Sequence, residues 1–144
     1  MNKTQALIID LDGTIALRGD RSPFDFENVD KDSLNKKLLE VISAIKQFKK
    51  DINIVFISGR MSSCREKTLN WLTINCDAIL SLPITLHMRI DDDFRDDSVV
   101  KLDLYKTLIE PYYDVYLVFD DRNSVVDMWR SQGLICYQVA DGDF

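Results

Sequence analysis

The sequence predicts an α/β fold of Rossmann type, with a mostly parallel sheet and helices on both faces. Short apolar runs alternate with segments whose apolar residues have helical spacing, and this order is typical of a parallel sheet. Three apolar runs end in residues that suit a binding site: Asp10, Ser58 and Asp120. In such sheets, ligands bind beyond the carboxyl ends of the strands. We therefore expect a site where these three strand ends meet.

The predicted strands are apolar and several are rich in β-branched residues. They cover residues 6–10, 52–57, 77–82, 115–119 and 134–139, with residues 84–90 as a further extended piece. Helices are predicted over residues 34–48, 63 to about 71, 98 to about 109 and 124–132. Serine side chains are the expected N-caps of the first three helices: Ser33, Ser63 (in a capping box with Glu66) and Ser98.

Composition and length favour one ordinary globular domain over residues 1–144. No apolar stretch approaches the roughly 20 residues of a membrane span, and residues 1–5 lack a signal-peptide pattern, so we expect a cytoplasmic protein. The net charge of −6 disfavours unspecific polyanion binding but leaves room for a local basic pocket. The three cysteines are widely spaced, and His87 has no accompanying G-x-S-x-G, so zinc, disulfide and Ser-His-Asp chemistry are disfavoured.

Two carboxylates, Asp10 and Asp12, stand two residues apart at the end of the first strand. Residues with this spacing point to the same side, so the pair would share one small site. One carboxylate could attack a substrate while the other moves protons. Gly13 would allow the sharp exit turn, and the Thr14 hydroxyl could donate to an anion. The alternative interpretation is an ordinary D-x-D-G turn after a strand.

A second acidic pair, Asp120 and Asp121, ends another strand of the same predicted sheet. Four carboxylates at one edge would repel each other unless a cation lay among them. Mg²⁺ prefers hard oxygen ligands of this kind. The alternative is that Asp120 and Asp121 only cap the helix that follows.

Ser58, Arg60 and Lys101 could complete a site for a phosphate group. The Ser58 hydroxyl and nearby N–H groups would hold phosphate oxygens, and the Arg60 guanidinium could grip them bidentately. Lys101 could neutralise the charge of a transferring phosphoryl group. Taken alone, Lys101 would be an ordinary surface lysine.

Together these residues resemble the four-motif signature of the haloacid dehalogenase superfamily. The motifs are Asp10-Leu11-Asp12-Gly13-Thr14, Ser58, Lys101 and Asp120-Asp121. The resemblance implies a phosphatase that forms an aspartyl-phosphate intermediate. Asp10 would be the nucleophile and Asp12 the general acid and base. Mg²⁺ would be held by Asp10, the Asp12 backbone carbonyl, Asp120 and Asp121.

Members of this superfamily that act on small metabolites usually carry an inserted cap domain. The gaps from Thr14 to Ser58 and from Ser58 to Lys101 are largely used by predicted elements, so no large cap domain is expected. An open site suits substrates that bring their own bulk, such as nucleic-acid ends or proteins.

Several runs also resemble the 3′-phosphatase domain of bacteriophage polynucleotide kinase-phosphatases. They are residues 97–101, 120–122, 125–130 and 138–144. This resemblance implicates Arg21, Arg60 and Asp97 in substrate binding, with Arg21 in a loop that could fold over the substrate. Ser98 departs from the pattern, which has a second acid there. No P-loop is present, so kinase activity is not predicted.

The resemblance implies Mg²⁺-dependent hydrolysis of 3′-terminal phosphates of DNA or RNA, in nucleic-acid end repair. A separate kinase or ligase could be a partner, although the sequence does not determine this, and a phage-encoded chain would act in the host cytoplasm. Two alternatives stay open. One is a capless phosphatase of small phosphomonoesters or phosphoproteins, and the other is a non-catalytic module that binds 3′ ends. The sequence does not determine the oligomeric state.

Overall fold

A five-stranded parallel sheet forms the centre of the computed structural model, which describes residues 2–144. Its strands lie in the order β5-β4-β1-β6-β7. In chain order, the seven strands of the described residues are β1 (Thr4–Asp10), β2 (Ala16–Leu17), β3 (Ser33–Leu34), β4 (Asn53–Met61), β5 (Thr85–Arg89), β6 (Tyr113–Asp120) and β7 (Cys136–Gln138). Strands β2 and β3 form a small antiparallel pair outside the main sheet.

Four α-helices connect the strands: α1 (Lys36–Phe48), α2 (Arg65–Asn75), α3 (Asp97–Leu104) and α4 (Asn123–Ser131). Helix α3 continues directly into a π-helical segment, Tyr105–Ile109. Short 3-10 turns lie at Phe26–Lys31, Ser62–Cys64 and Asp77–Ile79. None of the helices within residues 2–144 is long and apolar enough to cross a membrane.

The side chains of β1 alternate between two separate cores. Leu7 and Ile9 belong to one buried cluster with Ile42 of α1 and Leu72 of α2. On the other face, Ile8 packs in a cluster that includes the α4 side chains Val125, Val126 and Trp129 and, after α3, Tyr105 and Ile109. Buried side chains on both faces are what a parallel sheet requires. The predicted fold class, with helices on both faces, is confirmed.

The register of the central strands sets three strand ends at one level. Strand β1 pairs in parallel with β4, where Asp10 lies opposite Ile57, and with β6, where Ile9 lies opposite Phe119. Ser58 and Asp120 each follow directly after these partners. The carboxyl ends of β1, β4 and β6 therefore meet at one edge. No cap domain is evident in the described part of the chain, and this edge faces an open cavity.

The predicted strand over residues 77–82 is wrong. Residues 77–79 form a 3-10 turn that buries Ile79, and the strand next to β4 begins only at Thr85. The apolar run from Ala78 to Leu80 is too short to span the sheet, and Pro83 lacks the N–H that a strand would use. The further extended piece over residues 84–90 corresponds to β5.

The predicted helix caps are also wrong. Asn35 caps α1 in place of Ser33, and its side chain accepts a hydrogen bond from the Leu38 N–H. Helix α2 begins at Arg65 without a side-chain cap, and the Ser63 N–H donates to the Asp91 carboxylate. Ser98 lies inside α3, whose N-cap is Asp96. Strand β4 continues through Met61, four residues beyond its predicted end, and Met61 pairs with Arg89.

Candidate active site

Lys101 joins two strand-end carboxylates at the centre of the site. Its Nζ lies 2.6 Å from Asp10 Oδ1 and 3.0 Å from Asp120 Oδ2, and the lysine side chain is fully buried. Although burial alone would lower the pKa of Lys101, Asp10 and Asp120 raise it well above its usual value. Lys101 is therefore a fixed positive charge beside Asp10, and the interpretation as a surface lysine is excluded.

Asp10, Asp120 and Asp121 bring carboxylate oxygens within 4.8 Å of one another. Burial and then repulsion from Asp120 raise the pKa of Asp10 well above its usual range, and the same two causes raise that of Asp121. A divalent cation would relieve this repulsion, and hard oxygen ligands fit Mg²⁺. The donor set of the site therefore suits a metal. Gly13 leaves room for this cluster, because a Cβ there would collide with the Asp121 carboxylate.

Asp12 faces two arginine side chains across the site. Arg60 donates to both Asp12 oxygens, with Nη2 2.8 Å and Nε 3.2 Å from Oδ1, and Arg21 Nη2 lies 3.0 Å from Oδ1. Burial opposes ionisation of Asp12, but the hydrogen bonds and charges of Arg60 and Arg21 outweigh it and lower the pKa. Asp12 is thus ionised near neutral pH, and it is about one-third exposed towards the cavity.

Asp32 forms ion pairs with both Arg21 and Arg60, which also contact Asp12. Its carboxylate accepts from Arg21 Nε at 2.7 Å and from Arg60 Nη2 at 2.9 Å, and it is almost completely buried. Its backbone carbonyl accepts from Trp71 Nε1 at 2.8 Å, which ties the group to α2. Arg21 is therefore held inside the site rather than lying free on a loop.

The other predicted site residues lie around Asp10. Thr14 Oγ1 donates to Asp10 Oδ2 at 2.8 Å, so it orients the carboxylate. Ser58 Oγ accepts from the Arg60 N–H at 3.0 Å and remains able to donate its proton to a ligand. Asp97 lies 3.6 Å from Lys101 Nζ and 3.4 Å from Arg89 Nη2. The structure thus brings together all ten predicted site residues: Asp10, Asp12, Thr14, Arg21, Ser58, Arg60, Asp97, Lys101, Asp120 and Asp121.

Two residues that position the site residues, Asp32 and Trp129, are not predicted from the sequence. Asp32 is one acid in a mixed charged segment, and nothing in its neighbours marks it as buried. Trp129 Nε1 donates to Asp120 Oδ2 at 3.1 Å, although its helical spacing indicates only a core residue. Their roles depend on partners distant in sequence, so no local signal could have identified them.

The site opens into a cavity of about 570 Å³. Asp10, Asp12, Arg60 and Asp97 form part of its floor, and exposed phenylalanine and arginine side chains lie among its other lining residues. Carboxylates and a metal-compatible cluster lie beside guanidinium groups in one open cavity. The arrangement suits attack by a carboxylate on a phosphate ester.

The fold and this carboxylate site define a phosphatase of the haloacid dehalogenase type. Residues 4–144 match the family described as the polynucleotide kinase PNKP phosphatase domain. The chain therefore belongs to this family, which confirms the resemblance recognised from the sequence motifs.

One viral protein and two solved structures resemble this chain over most of its length. A putative bifunctional polynucleotide kinase/RNA ligase of Autographa californica nuclear polyhedrosis virus is 39% identical over 128 residues, which are 88% of this chain and 18% of that protein. Two structures of the Pnkp1/Rnl/Hen1 complex, one of them described as an RNA repair complex, contain a chain 36% identical to this one. The TM-scores are 0.89 and 0.90. Each match covers 99% of this chain, and the two matches cover 44% and 48% of the chains in those complexes.

This chain therefore spans less than half the length of these relatives. The viral relative comes from a baculovirus, so these matches do not establish a bacteriophage origin.

Two more distant structures show the fold alone. A class C acid phosphatase from Bacillus anthracis is 17% identical, with a TM-score of 0.58 over 87% of this chain and 54% of that one. The HAD domain of the effector Lem4 from Legionella pneumophila is 13% identical, with a TM-score of 0.55 over 99% and 89%.

Proposed function

We propose that this domain hydrolyses 3′-terminal phosphates of DNA or RNA, with Asp10 as the covalent nucleophile and Mg²⁺ as the cofactor. The observation that carries the proposal is the buried ion pair between Lys101 and Asp10 beside the Asp120–Asp121 pair, at the base of an open cavity. The family match supports a polynucleotide substrate. The kinase/RNA ligase and RNA repair complex among the relatives support a role in end repair beside a separate kinase or ligase.

The reaction would proceed in two steps at phosphorus. A carboxylate oxygen of Asp10 bonds to phosphorus while the bond from phosphorus to the ester oxygen breaks, and Asp12 protonates the departing oxygen. Asp12 then takes a proton from water as the water oxygen bonds to phosphorus, and Asp10 leaves as a carboxylate. Lys101 offsets negative charge beside Asp10 throughout.

Asp12 needs a proton in the first step, although its two arginines favour the ionised form. Arg60, which lines the cavity, is also placed to bind phosphate oxygens, because a guanidinium matches their geometry. A phosphate that draws Arg60 from Asp12 removes part of the cause of the lowered pKa of Asp12. Substrate binding would therefore itself favour the protonated form of Asp12.

Magnesium, when bound, would neutralise phosphate charge and orient the ester for attack. Asp10, Asp120 and Asp121 would hold it, together with the Asp12 backbone carbonyl implied by the family signature. Ser58 and Thr14 would bind phosphate oxygens or orient Asp10. Asp97 would fix Lys101 and Arg89.

The test is hydrolysis of matched DNA and RNA oligonucleotides that carry a 3′ phosphate, beside small phosphomonoesters and a phosphopeptide, with Mg²⁺ and with chelator. We expect Mg²⁺-dependent release of inorganic phosphate from the oligonucleotides. Turnover of only the small esters or the phosphopeptide would refute the substrate. Activity that survives complete chelation would refute the cofactor.

Asp10→Asn tests the nucleophile and separates an enzyme from a binding module. It should lower turnover by at least about 1,000-fold while the protein stays folded, because the covalent step is lost. Asp51→Asn is a matched control, since Asp51 is exposed at the amino edge of the sheet before β4. Unchanged turnover in the Asp10 variant would exclude the mechanism. Oligonucleotide binding without turnover by the unaltered protein would indicate a binding module.

A further inference from the structure

Two exposed phenylalanines line the same cavity as Asp10. Phe24 is 82% exposed and Phe94 is 80% exposed, and neither packs in a core cluster of the described residues. A third, Phe144, lines the cavity at 65% exposure. Single exposed apolar side chains are common. Three aromatic rings from segments far apart in sequence around one cavity indicate a binding surface.

The backbone that carries Phe24 is held on both sides by one arginine. Arg21 Nη1 donates to the carbonyls of Ser22 and Asp25, both at 3.1 Å. The Asp25 N–H also donates to the Ser22 carbonyl at 3.0 Å, which closes the turn. Arg21 is itself fixed by Asp32. The ring therefore projects from a braced turn rather than from a loose loop.

The same construction recurs at Phe94. Arg89 Nη1 donates to the carbonyls of Asp93 and Arg95, at 2.9 Å and 2.6 Å. Arg89 Nε also donates to the Gly59 carbonyl at 2.8 Å, which anchors the turn to β4. Two mostly buried arginines thus each brace a turn at the carbonyls on either side of an exposed phenylalanine.

A braced turn lowers the cost of binding, because little backbone freedom is lost when the ring is covered. A flat, exposed aromatic ring beside a phosphate-binding cavity suits a planar group attached to a phosphate. Nucleobases stack on aromatic side chains independently of their identity. Arg122, whose guanidinium lies 5.2 Å from the centre of the Phe144 ring, adds positive charge at the same mouth.

We propose that Phe24 and Phe94 stack on the unpaired nucleobases adjacent to the 3′ phosphate. This inference rests on the proposed function and deepens it. Stacking would position the terminal phosphate over Asp10 without reading the sequence. The rings, rather than contacts with base edges, would then separate polynucleotide ends from small phosphate esters.

The test compares Phe24→Ala, Phe94→Ala and the double variant with Phe48→Ala. Phe48 is 85% exposed at the end of α1 and does not line the cavity, so it is a matched control. The substrates are a 3′-phosphorylated oligonucleotide, the same strand with abasic sites at its last two positions, and glycerol phosphate. Measured kcat/KM for the intact strand should fall about 5- to 150-fold for each stack lost.

The abasic strand completes a double-mutant cycle. In the unaltered protein it should lose about as much kcat/KM as the double variant loses on the intact strand. In the double variant the abasic sites should cause little further loss. The loss on glycerol phosphate should be much smaller, and Phe48→Ala should behave as the unaltered protein on every substrate.

Two results would contradict the stacking inference while leaving the proposed function intact. One is full activity of the double variant on the intact strand, and the other is an equal loss on the intact strand, the abasic strand and glycerol phosphate. Circular dichroism of each variant confirms that it is folded. If the unaltered protein hydrolyses glycerol phosphate but no oligonucleotide, the proposed function and this inference fail together.

Discussion

Asp32 orients the two arginines of the site, although nothing in its sequence position indicates such a role. A single buried carboxylate pairs with both Arg21 and Arg60, and these arginines in turn hold Asp12. Removing one partner of a buried ion pair leaves an uncompensated charge, which costs much more than the net contribution of the intact pair. The orientation of Asp12, the proposed general acid, therefore depends on Asp32, which lies behind the two arginines.

Asp32→Asn should lower the free energy of unfolding by about 3 kcal/mol, as expected for a broken buried ion pair. Phosphatase activity should fall as well, because Arg21 and Arg60 lose their common anchor. Urea unfolding and initial rates measure the two effects. Asp30→Asn is the control, since Asp30 is exposed in the 3-10 turn that ends just before Asp32. Equal stability of the two variants would contradict the role of Asp32.

A second residue-scale prediction concerns alkaline pH. Burial raises the pKa of the Cys76 thiol to about 12 in the folded protein, from about 9. Because the folded pKa lies above the unfolded value, the contribution to stability is complete below about pH 9 and is lost as pH rises towards 12. The stability advantage over Cys76→Ala should therefore shrink by roughly 2 kcal/mol between pH 8 and pH 11. Urea unfolding of both proteins across this range measures it, and a constant difference would refute it.

At the scale of elements, Asn35 links α1 to the turn after β1. Its side-chain oxygen caps the helix, and its Nδ2 donates to the Thr14 carbonyl at 2.9 Å. The cap thus also holds the segment that orients Asp10.

Asn35→Ala should cost about 1 kcal/mol for the lost cap, and more because the Thr14 contact is also lost. Asn35→Asp keeps an accepting oxygen and should recover the cap contribution but not the Thr14 contact. Ser33→Ala should change stability little, because Ser33 does not cap the helix. Thermal unfolding of the three variants tests the assignment, and a larger loss in Ser33→Ala than in Asn35→Ala would reverse it.

Two glycines offer a matched comparison of backbone strain and space. Gly13 and Gly133 have positive φ angles of 78° and 80°. A Cβ at Gly133 would meet open space, whereas one at Gly13 would meet the Asp121 carboxylate. Gly133→Ala should therefore cost about 1–2 kcal/mol from conformation alone. Gly13→Ala should cost more and also reduce activity. Similar effects of both substitutions on activity would contradict this difference.

The sequence predicts the buried strands well and the element ends poorly. Residues 52–57 and 115–119 are mostly apolar runs typical of a buried strand, and residues 53–57 and 115–119 lie within the observed strands β4 and β6. Residues 77–82, wrongly predicted as a strand, are also rich in apolar residues. Their apolar run is short, and a 3-10 turn is enough to bury Ile79. The capping residues are predicted wrongly because neighbouring polar residues such as Ser33 and Asn35 can cap a helix equally well. Tertiary contacts, such as the one from Asn35 to Thr14, determine which residue does so.

At the scale of the whole molecule, the site follows from the topology. Asp10, Ser58 and Asp120 could be placed together because parallel strands end at one edge. Lys101 was identified from motif resemblance, and its burial between two carboxylates depends on how α3 packs. The braced phenylalanine turns lie in loops, where sequence patterns predict neither exposure nor the carbonyl contacts of Arg21 and Arg89.

Metal binding should stabilise the entire domain through the repelling carboxylates. At a Mg²⁺ concentration 100 times its dissociation constant, binding only the folded state adds about 2.7 kcal/mol to the free energy of unfolding. Asp121→Asn should reduce this increment, and Asp51→Asn should retain it. Thermal unfolding with and without Mg²⁺ measures the effect. No Mg²⁺-dependent shift in the unaltered protein would argue against the metal site.

The long chain separation between Asp10 and its partners has a consequence for synthesis. Lys101 and Asp120 contact each other and Asp10 only after β1, β4 and β6 have aligned. A growing chain on the ribosome holds Asp10, the proposed nucleophile, early, but lacks its contacts with Lys101 and Asp120 until β6 has emerged and paired. The onset of catalysis would thus mark the pairing of β6 with β1, and shorter growing chains would leave phosphate esters intact.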